Sequence, residues 1–210
     1  MSAAGAASEA GAKEADAVGE REQAQDMLVG YGTLLSREST ARTVGPSASA
    51  KPFKPVVVTG YRRLFNLRPD HYRPSFHLTD EPTEVAAMNV TPWEGSSFNG
   101  LAFPVSRADL EALDARERYY QRVRVPVLAF PGREPLGEAW VYSALPGAPA
   151  VFPSESGLQP QWKDLIMARA GAYAKGEDFG KMFDETTFLA DGETLVVDAY
   201  RAHLPVPFQP

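Results

Sequence analysis

The amino-acid sequence predicts an α+β fold, in which strands occupy most of the first two thirds of the chain and helices the last third. β-rich segments extend to about residue 145 and are interrupted by one capped helix that starts near Ser106. Large apolar residues then recur at helical intervals from Trp162 onwards. Strands followed by helices, rather than alternating with them, are typical of α+β domains. The length of 210 residues suits one domain with a core large enough to enclose a pocket.

Composition and charge exclude several classes of protein. The net charge is −6, and no cluster of Lys and Arg offers the positive surface that nucleic-acid binding needs, so we predict no nucleic-acid partner. The absence of cysteine excludes a disulfide scaffold, a thiolate zinc site and a cysteine nucleophile. Because no apolar segment suits a secretion signal or a membrane span, we expect a cytoplasmic protein without a membrane partner.

The first 25 residues differ in composition from the remainder. They consist mainly of Ala, Gly and Glu, and such a segment buries too little apolar surface to offset the entropy cost of ordering the chain. We therefore predict a disordered tail over residues 1–25 and a single folded domain over residues 26–210.

The first predicted elements are a short strand, a helix and a long strand. Residues 27–32 are expected to form a buried strand that leads into a glycine turn, and Ser36 to cap a short helix over residues 36–44. The β-rich segment Lys54–Leu67 predicts a long strand in which Gly60 marks a bulge or kink.

Two strand pairs are predicted next, one on each side of the capped helix. Residues 84–92 and 99–106 are expected to pair across a loop around Gly95. Residues 122–130 alternate Arg with Val, which indicates a half-buried strand, and residues 137–145 are expected to pair with them across a PGREP turn.

The last third of the chain is predicted to be helical. Trp162, Leu165, Ile166 and Tyr173 follow each other at helical intervals, and a second helical segment covers residues 177–189. We assign Trp162 and Tyr173 to core packing.

The helix between the two strand pairs contains the most informative acidic residue. Ser106 and Asp109 form the pattern of a capping box, in which each side chain satisfies backbone N–H groups at the helix start. Leu110, Leu113 and Glu117 then fall on one face of the helix. Since leucines at this spacing mark the buried face, Glu117 is expected to point into an apolar interior, where its pKa would rise towards neutral pH.

Two interpretations of Glu117 follow from the residues themselves. It is kept for proton transfer, or it is paired with an arginine in a buried ion pair. Arg116 is expected to point away from this face. The arginines considered as partners are Arg62, Arg63, Arg122 and Arg124.

The turn GYGTLL, residues 30–35, is a second candidate site. Two glycines follow the first strand there, and such a turn can direct successive backbone N–H groups at an anion. It lacks the lysine and the spacing of a phosphate-binding loop, so this segment alone favours an ordinary tight turn over an anion site.

Three motifs, in their order along the chain, resemble those of the γ-glutamylcyclotransferase-like (AIG2-like) superfamily. They are Tyr-Gly-Thr-Leu at residues 31–34, Leu-Asp-x-x-Glu at residues 113–117 and Tyr-x-Arg at residues 120–122. The order of the surrounding elements is also similar, from about residue 27 to residue 195.

The resemblance implies a small mixed β-barrel surrounded by helices, with a cavity at one end. It implies that backbone donors of the Tyr-Gly-Thr-Leu turn bind the carboxylate of a γ-glutamyl group, and that Glu117 acts as acid and base in ring closure to 5-oxoproline. This intramolecular reaction needs no cofactor and no metal. The expected substrate-binding residues are Tyr31, Gly32, Thr33, Leu34 and Tyr120.

The sequence departs from the best-known members of the superfamily at Arg118, where they have Gly after the motif glutamate. Arg118 is expected to crowd the entrance of the cavity or to select an acidic leaving group. The substrate stays open among glutathione-derived peptides, γ-glutamylamines and other γ-glutamyl conjugates, and the oligomeric state is not predicted.

Two alternative functions are compatible with the same residues. One is a catalytically inactive module of this fold that binds a carboxylated metabolite. The other is a purely structural domain, in which Glu117 is paired with an arginine such as Arg122 and the cavity is filled by side chains.

A few further polar residues are candidates for the site. Arg63 and Asn66 lie in the long strand, where solvated or structural roles are favoured over lining the cavity. We predict no metal site, because the spacing of the possible ligands is irregular and matches no established ligand pattern. These possible ligands are Asp70, His71, His77 and Asp80.

Overall fold

The computed structural model describes residues 26–45, 51–70, 84–144 and 158–205 of the chain, and these residues form seven strands, five α-helices and one 3₁₀ helix. The predicted tail, residues 1–25, lies outside them. The strands are β1 (Asp26–Gly30), β2 (Lys54–Leu67), β3 (Val85–Val105), β4 (Tyr120–Ala129), β5 (Pro135–Ala144), β6 (Gln159–Pro160) and β7 (Thr187–Phe188). The helices are the 3₁₀ helix Thr33–Leu35, α1 (Arg37–Val44), α2 (Arg107–Arg116), α3 (Trp162–Tyr173), α4 (Glu177–Glu185) and α5 (Val196–Tyr200).

Five of the strands close into a small barrel. They follow each other in the order β3, β1, β5, β4 and β2, and the pairing of β2 with β3 completes the ring. All neighbours are antiparallel except β1 and β5, which pair in parallel. The two-residue strands β6 and β7 pair in parallel with β3 and β2. The structure therefore confirms the α+β class and the mixed barrel.

The prediction that residues 84–92 pair with residues 99–106 is wrong. Both segments belong to the single strand β3, and both pair with β2 rather than with each other. The reason is a matched kink: Gly60 of β2 and Gly95 of β3 have φ values of 80° and 75°, which only glycine adopts without strain. The expected loop around Gly95 is therefore a bulge that bends a continuous ladder.

The ends of most other elements agree with their predictions. The Ser36 side chain accepts a hydrogen bond from Ser39 N–H at the start of α1, and Ser106 and Asp109 form the predicted capping box at the start of α2. Strands β4 and β5 pair as a hairpin. In the segment predicted as a second late helix, α4 ends at Glu185 and the short strand β7 follows.

Helices cover the barrel and complete the core. Residues of α3 and α4 pack on one another, and α3 also contacts the 3₁₀ helix that follows β1. Trp162 packs against the main core cluster as predicted, and the Tyr173 ring lies against Gly180 of α4. Among the described residues, no helix has the length and apolar character needed to cross a membrane. This packing places the 3₁₀ helix between the barrel and α3.

Candidate active site

A cavity of about 400 Å³ lies where the 3₁₀ helix, the end of α2 and the start of α3 meet. Its wall includes side chains from β3, β4 and β5 as well. The structure brings all six residues expected at the site into the lining of this one cavity. They are Tyr31, Gly32, Thr33, Leu34, Glu117 and Tyr120.

Glu117 was predicted to lie on the helix, but in the structure it lies one residue beyond the helix end. Helix α2 ends at Arg116, and Glu117 is its C-cap with φ −91° and ψ 39°. The Glu117 N–H still donates to Leu113 O at 2.8 Å, and its carbonyl accepts from Tyr120 N–H at 2.8 Å. The side chain keeps only 17% of its surface exposed. Glu117 is therefore shielded from solvent, as the leucine spacing predicts, although it caps helix α2 instead of lying within it.

The ion-pair partner of Glu117 is Arg116, which corrects two expectations. Arg116 was expected to point away, yet its Nε lies 3.1 Å from Glu117 Oε1. The strand arginines have other partners: Arg122 pairs with Asp114 at 2.9 Å, and Arg124 pairs with Asp26. A helix that ends at residue 116 explains the difference, because the two neighbouring side chains no longer diverge by the helical angle of about 100°.

Burial controls the protonation of Glu117. Removal from water raises the pKa of the Glu117 carboxyl, the positive charge of Arg116 opposes this rise, and the carboxylate of Asp164 adds to it. The net direction is upwards. A carboxyl group with a raised pKa can accept a proton and return it near neutral pH.

The glycine turn is held tightly against the barrel. A Cβ atom at Gly30 would lie 2.7 Å from the Cβ and the carbonyl oxygen of Leu34, so only glycine lets the turn fold back on β1. Thr33 and Leu34 open the 3₁₀ helix, and the first N–H groups of such a helix have no acceptor within it. The turn lines the cavity, and the N–H groups of Thr33 and Leu34 are not used within the helix.

The two tyrosines of the motifs are fixed by backbone carbonyls. The Tyr31 hydroxyl donates to Tyr142 O at 2.7 Å, and the Tyr120 hydroxyl donates to Met88 O at 2.7 Å. Burial raises the pKa of Tyr31 well above its usual value, with a smaller contribution from Glu117, so the phenol stays protonated. Both rings thus form part of a rigid cavity wall.

Arg63 and Asn66, considered as lining residues, lie elsewhere. Neither is among the cavity residues. Arg63 is fully buried in the barrel, where it donates to Tyr31 O at 3.3 Å, and Asn66 accepts a hydrogen bond from Asn89 at 3.0 Å. Arg63 therefore supports the turn from behind instead of facing the cavity.

Arg118 also stands apart from the cavity wall. Its side chain is 64% exposed and its guanidinium lies 3.8 Å from Asp70 Oδ1. Arg118 is not among the residues that line the cavity.

Several cavity residues were missed by sequence analysis. Lys163, Asp164 and Met167 come from α3. The spacing of the large apolar residues predicted this helix, but it did not show which elements the helix would pack against. Within the described parts of the chain, no three His, Asp or Glu side chains gather as a metal site would require. His71, His77 and Asp80 lie outside the described residues.

Comparison with protein families identifies the group to which these motifs belong. The model of the family described as gamma-glutamyl cyclotransferase, AIG2-like, matches residues 28–163, which is more than half of the chain. The chain belongs to this family. A search among curated proteins gives no significant match.

Solved structures support the fold that this family membership implies. A structure named gamma-glutamyl cyclotransferase shares 12% identity and a TM-score of 0.55, over 76% of this chain and 86% of the other. An uncharacterized protein from Homo sapiens has the same values. YkqA from Bacillus subtilis shares 16% identity and a TM-score of 0.56 over 77% of this chain, which spans only 54% of YkqA. At these identities the likeness concerns the fold alone.

Proposed function

We propose that this protein releases 5-oxoproline from a small γ-glutamyl amide or peptide by intramolecular aminolysis, with Glu117 as general acid and base. The observation that supports this proposal is a shielded carboxyl group in the same cavity as the turn that opens the 3₁₀ helix. Membership of the gamma-glutamyl cyclotransferase, AIG2-like family agrees with this chemistry.

The proposed reaction needs one proton acceptor that also serves as the donor. The α-amino nitrogen of the γ-glutamyl group attacks the side-chain carbonyl carbon, and the new C–N bond closes the five-membered ring. Glu117 takes the proton that the attacking nitrogen loses. When the original amide C–N bond breaks, Glu117 returns this proton to the leaving amine, so the carboxylate is regenerated.

The glycine turn at the cavity is proposed to hold the γ-glutamyl group. We assign its α-carboxylate to the N–H groups of Thr33 and Leu34, because these donors have no acceptor within the 3₁₀ helix. The rings of Tyr31 and Tyr120 are fixed by hydrogen bonds to backbone carbonyls, which keeps the cavity wall rigid. Holding amine and carbonyl together in one bound substrate supplies the proximity that the ring closure requires.

A panel of γ-glutamyl amides and peptides tests the proposal through release of 5-oxoproline. We expect wild-type turnover of at least one of them, and a loss of about 10²- to 10⁴-fold in Glu117→Gln, the usual contribution of a positioned acid–base group. Glu111→Gln is the matched control, because Glu111 lies on the helix that Glu117 caps but is paired with Arg107 at the surface.

Two outcomes contradict the proposal. Equal turnover by wild type and Glu117→Gln removes Glu117 from the mechanism. Thermal stabilisation by a γ-glutamyl amide without 5-oxoproline, to the same extent in both proteins, supports the catalytically inactive binding module instead.

A further inference from the structure

Arg116 lies where three parts of the candidate site meet. Its Nε lies 3.1 Å from Glu117 Oε1, and its Nη2 donates to Thr33 Oγ1 at 2.9 Å. Its Nη1 donates to Thr43 Oγ1 at 2.8 Å and to Ser39 O at 3.3 Å, while Nη2 also reaches Ser39 Oγ at 3.2 Å. One guanidinium thus connects the acidic residue, the glycine turn and helix α1.

These contacts decide what Arg116 can do. A guanidinium has five N–H donors, one on Nε and two on each Nη. The four donors on Nη1 and Nη2 are used by Thr33, Ser39 and Thr43, while Nε lies at ion-pair distance from Glu117. No donor on Nη1 or Nη2 is left for a substrate carboxylate, although Arg116 lines the cavity. Its contacts are those of a group that holds its neighbours in place.

We propose that Arg116 is a positioning residue, which fixes the Glu117 carboxylate towards the cavity and favours its ionised form. The inference rests on the proposed function, since it concerns the residue to which we assign proton transfer. The planar, forked guanidinium suits the role, because its two Nη atoms donate to three hydroxyl groups in fixed directions while Nε lies beside the Glu117 carboxylate.

The charge of Arg116 opposes the other influences on Glu117. Burial raises the pKa of the Glu117 carboxyl, Arg116 lowers it and Asp164 raises it. Loss of the positive charge therefore leaves two influences that both raise this pKa. The other titratable or charged residues that line the cavity are Tyr31, Arg42, Tyr119, Tyr120, Tyr142 and Lys163.

The primary experiment measures Glu117 itself and needs no substrate. The carboxyl ¹³C resonances of Glu-labelled protein are titrated by NMR, and the Glu117 signal is assigned by its absence in Glu117→Gln. We expect a higher Glu117 pKa in Arg116→Gln than in wild type. We expect a smaller increase in Arg116→Lys, which keeps the charge but not the fork.

Arg118→Gln is the matched control, because it removes the same charge on the other side of Glu117. Arg118 is exposed and lies near Asp70, so the control should leave the Glu117 pKa at its wild-type value. An unchanged Glu117 pKa in both Arg116 variants overturns the proposal, and so does an equal increase in Arg118→Gln. If Arg116→Gln does not fold, the comparison of Arg116→Lys with Arg118→Gln decides by the same criteria.

Turnover provides a second and separable result. In Arg116→Gln we expect the acidic limb of the kcat/KM profile to move to higher pH with the NMR pKa, and kcat to fall by up to about 100-fold as the carboxylate loses its fixed direction. Absence of wild-type turnover at every pH contradicts the proposed function and leaves the NMR test of Arg116 standing. If Arg116→Gln keeps the wild-type kcat and the acidic limb of its kcat/KM profile does not move, the positioning role is contradicted but the proposed function is not.

Discussion

The most demanding structural prediction concerns Arg63, the buried cation behind the glycine turn. Its guanidinium makes six hydrogen bonds of 2.9–3.3 Å to backbone and side-chain oxygens, and its charge lies over the Phe183 ring at 4.0 Å. Burial lowers the pKa of Arg63 to about 9, a shift that Asp184 opposes, so the group stays cationic at neutral pH. The oxygens that accept its hydrogen bonds belong to Tyr31, Asn99, Phe183, Thr186 and Thr187.

Replacement of Arg63 by Lys gives a magnitude that follows from this geometry. An ammonium group has three donors, so at least three of the six hydrogen bonds are lost. At about 1 kcal/mol for each buried bond, the free energy of unfolding falls by about 3 kcal/mol. For a domain of this size, such a loss lowers Tm by about 6–12 °C. Because Tyr31 O is among the partners, we also expect KM for a γ-glutamyl substrate to rise.

Thermal unfolding followed by circular dichroism measures this effect. Arg107→Lys is the control, because the Arg107 side chain is 94% exposed and its replacement should change stability by less than about 0.5 kcal/mol. A Tm for Arg63→Lys within the range of the control would refute the assignment of Arg63 as the support of the turn.

Three further perturbations test separate parts of the structure. Since burial raises the folded-state pKa of Glu117, its ionisation costs stability as pH rises above the ordinary glutamate value. Glu117→Gln should therefore unfold at a higher temperature than wild type at pH 8 but not at pH 4, and no difference at pH 8 contradicts this. Asp184→Asn breaks a two-point ion pair with Arg169, whose side chains are 11% and 9% exposed. This substitution should lower the free energy of unfolding in urea by about 3 kcal/mol. An unchanged urea midpoint would show that the ion pair adds nothing to stability. Tyr31→Phe leaves a buried carbonyl of Tyr142 without its donor and should cost about 1–3 kcal/mol with kcat retained, whereas a loss of kcat comparable to that of Glu117→Gln would assign the hydroxyl to the reaction.

The predictions that succeeded depend on local patterns. The caps at Ser36 and Ser106 and the hairpin of β4 and β5 follow from short-range hydrogen bonds and turn chemistry, which are determined by neighbouring residues. The shielding of Glu117 follows from the leucines that precede it, although the residue caps the helix instead of lying within it. These features could be inferred without tertiary contacts.

The predictions that failed depend on distant contacts. The unbroken course of β3 requires Gly60 and Gly95 to kink at matching positions in two strands, and their spacing in sequence does not show that match. The role of Arg116 depends on hydroxyl groups of α1 and of the 3₁₀ helix, far away in sequence. The disordered tail, the cytoplasmic location and the choice of substrate stay predictions.

The most direct test of the account is a crystal structure of Glu117→Gln with an uncleaved γ-glutamyl amide. We expect the α-carboxylate at the N–H groups of Thr33 and Leu34, and the amino and amide nitrogens within hydrogen-bonding distance of residue 117. A ligand bound outside the cavity, or one whose scissile amide points away from residue 117, would contradict it.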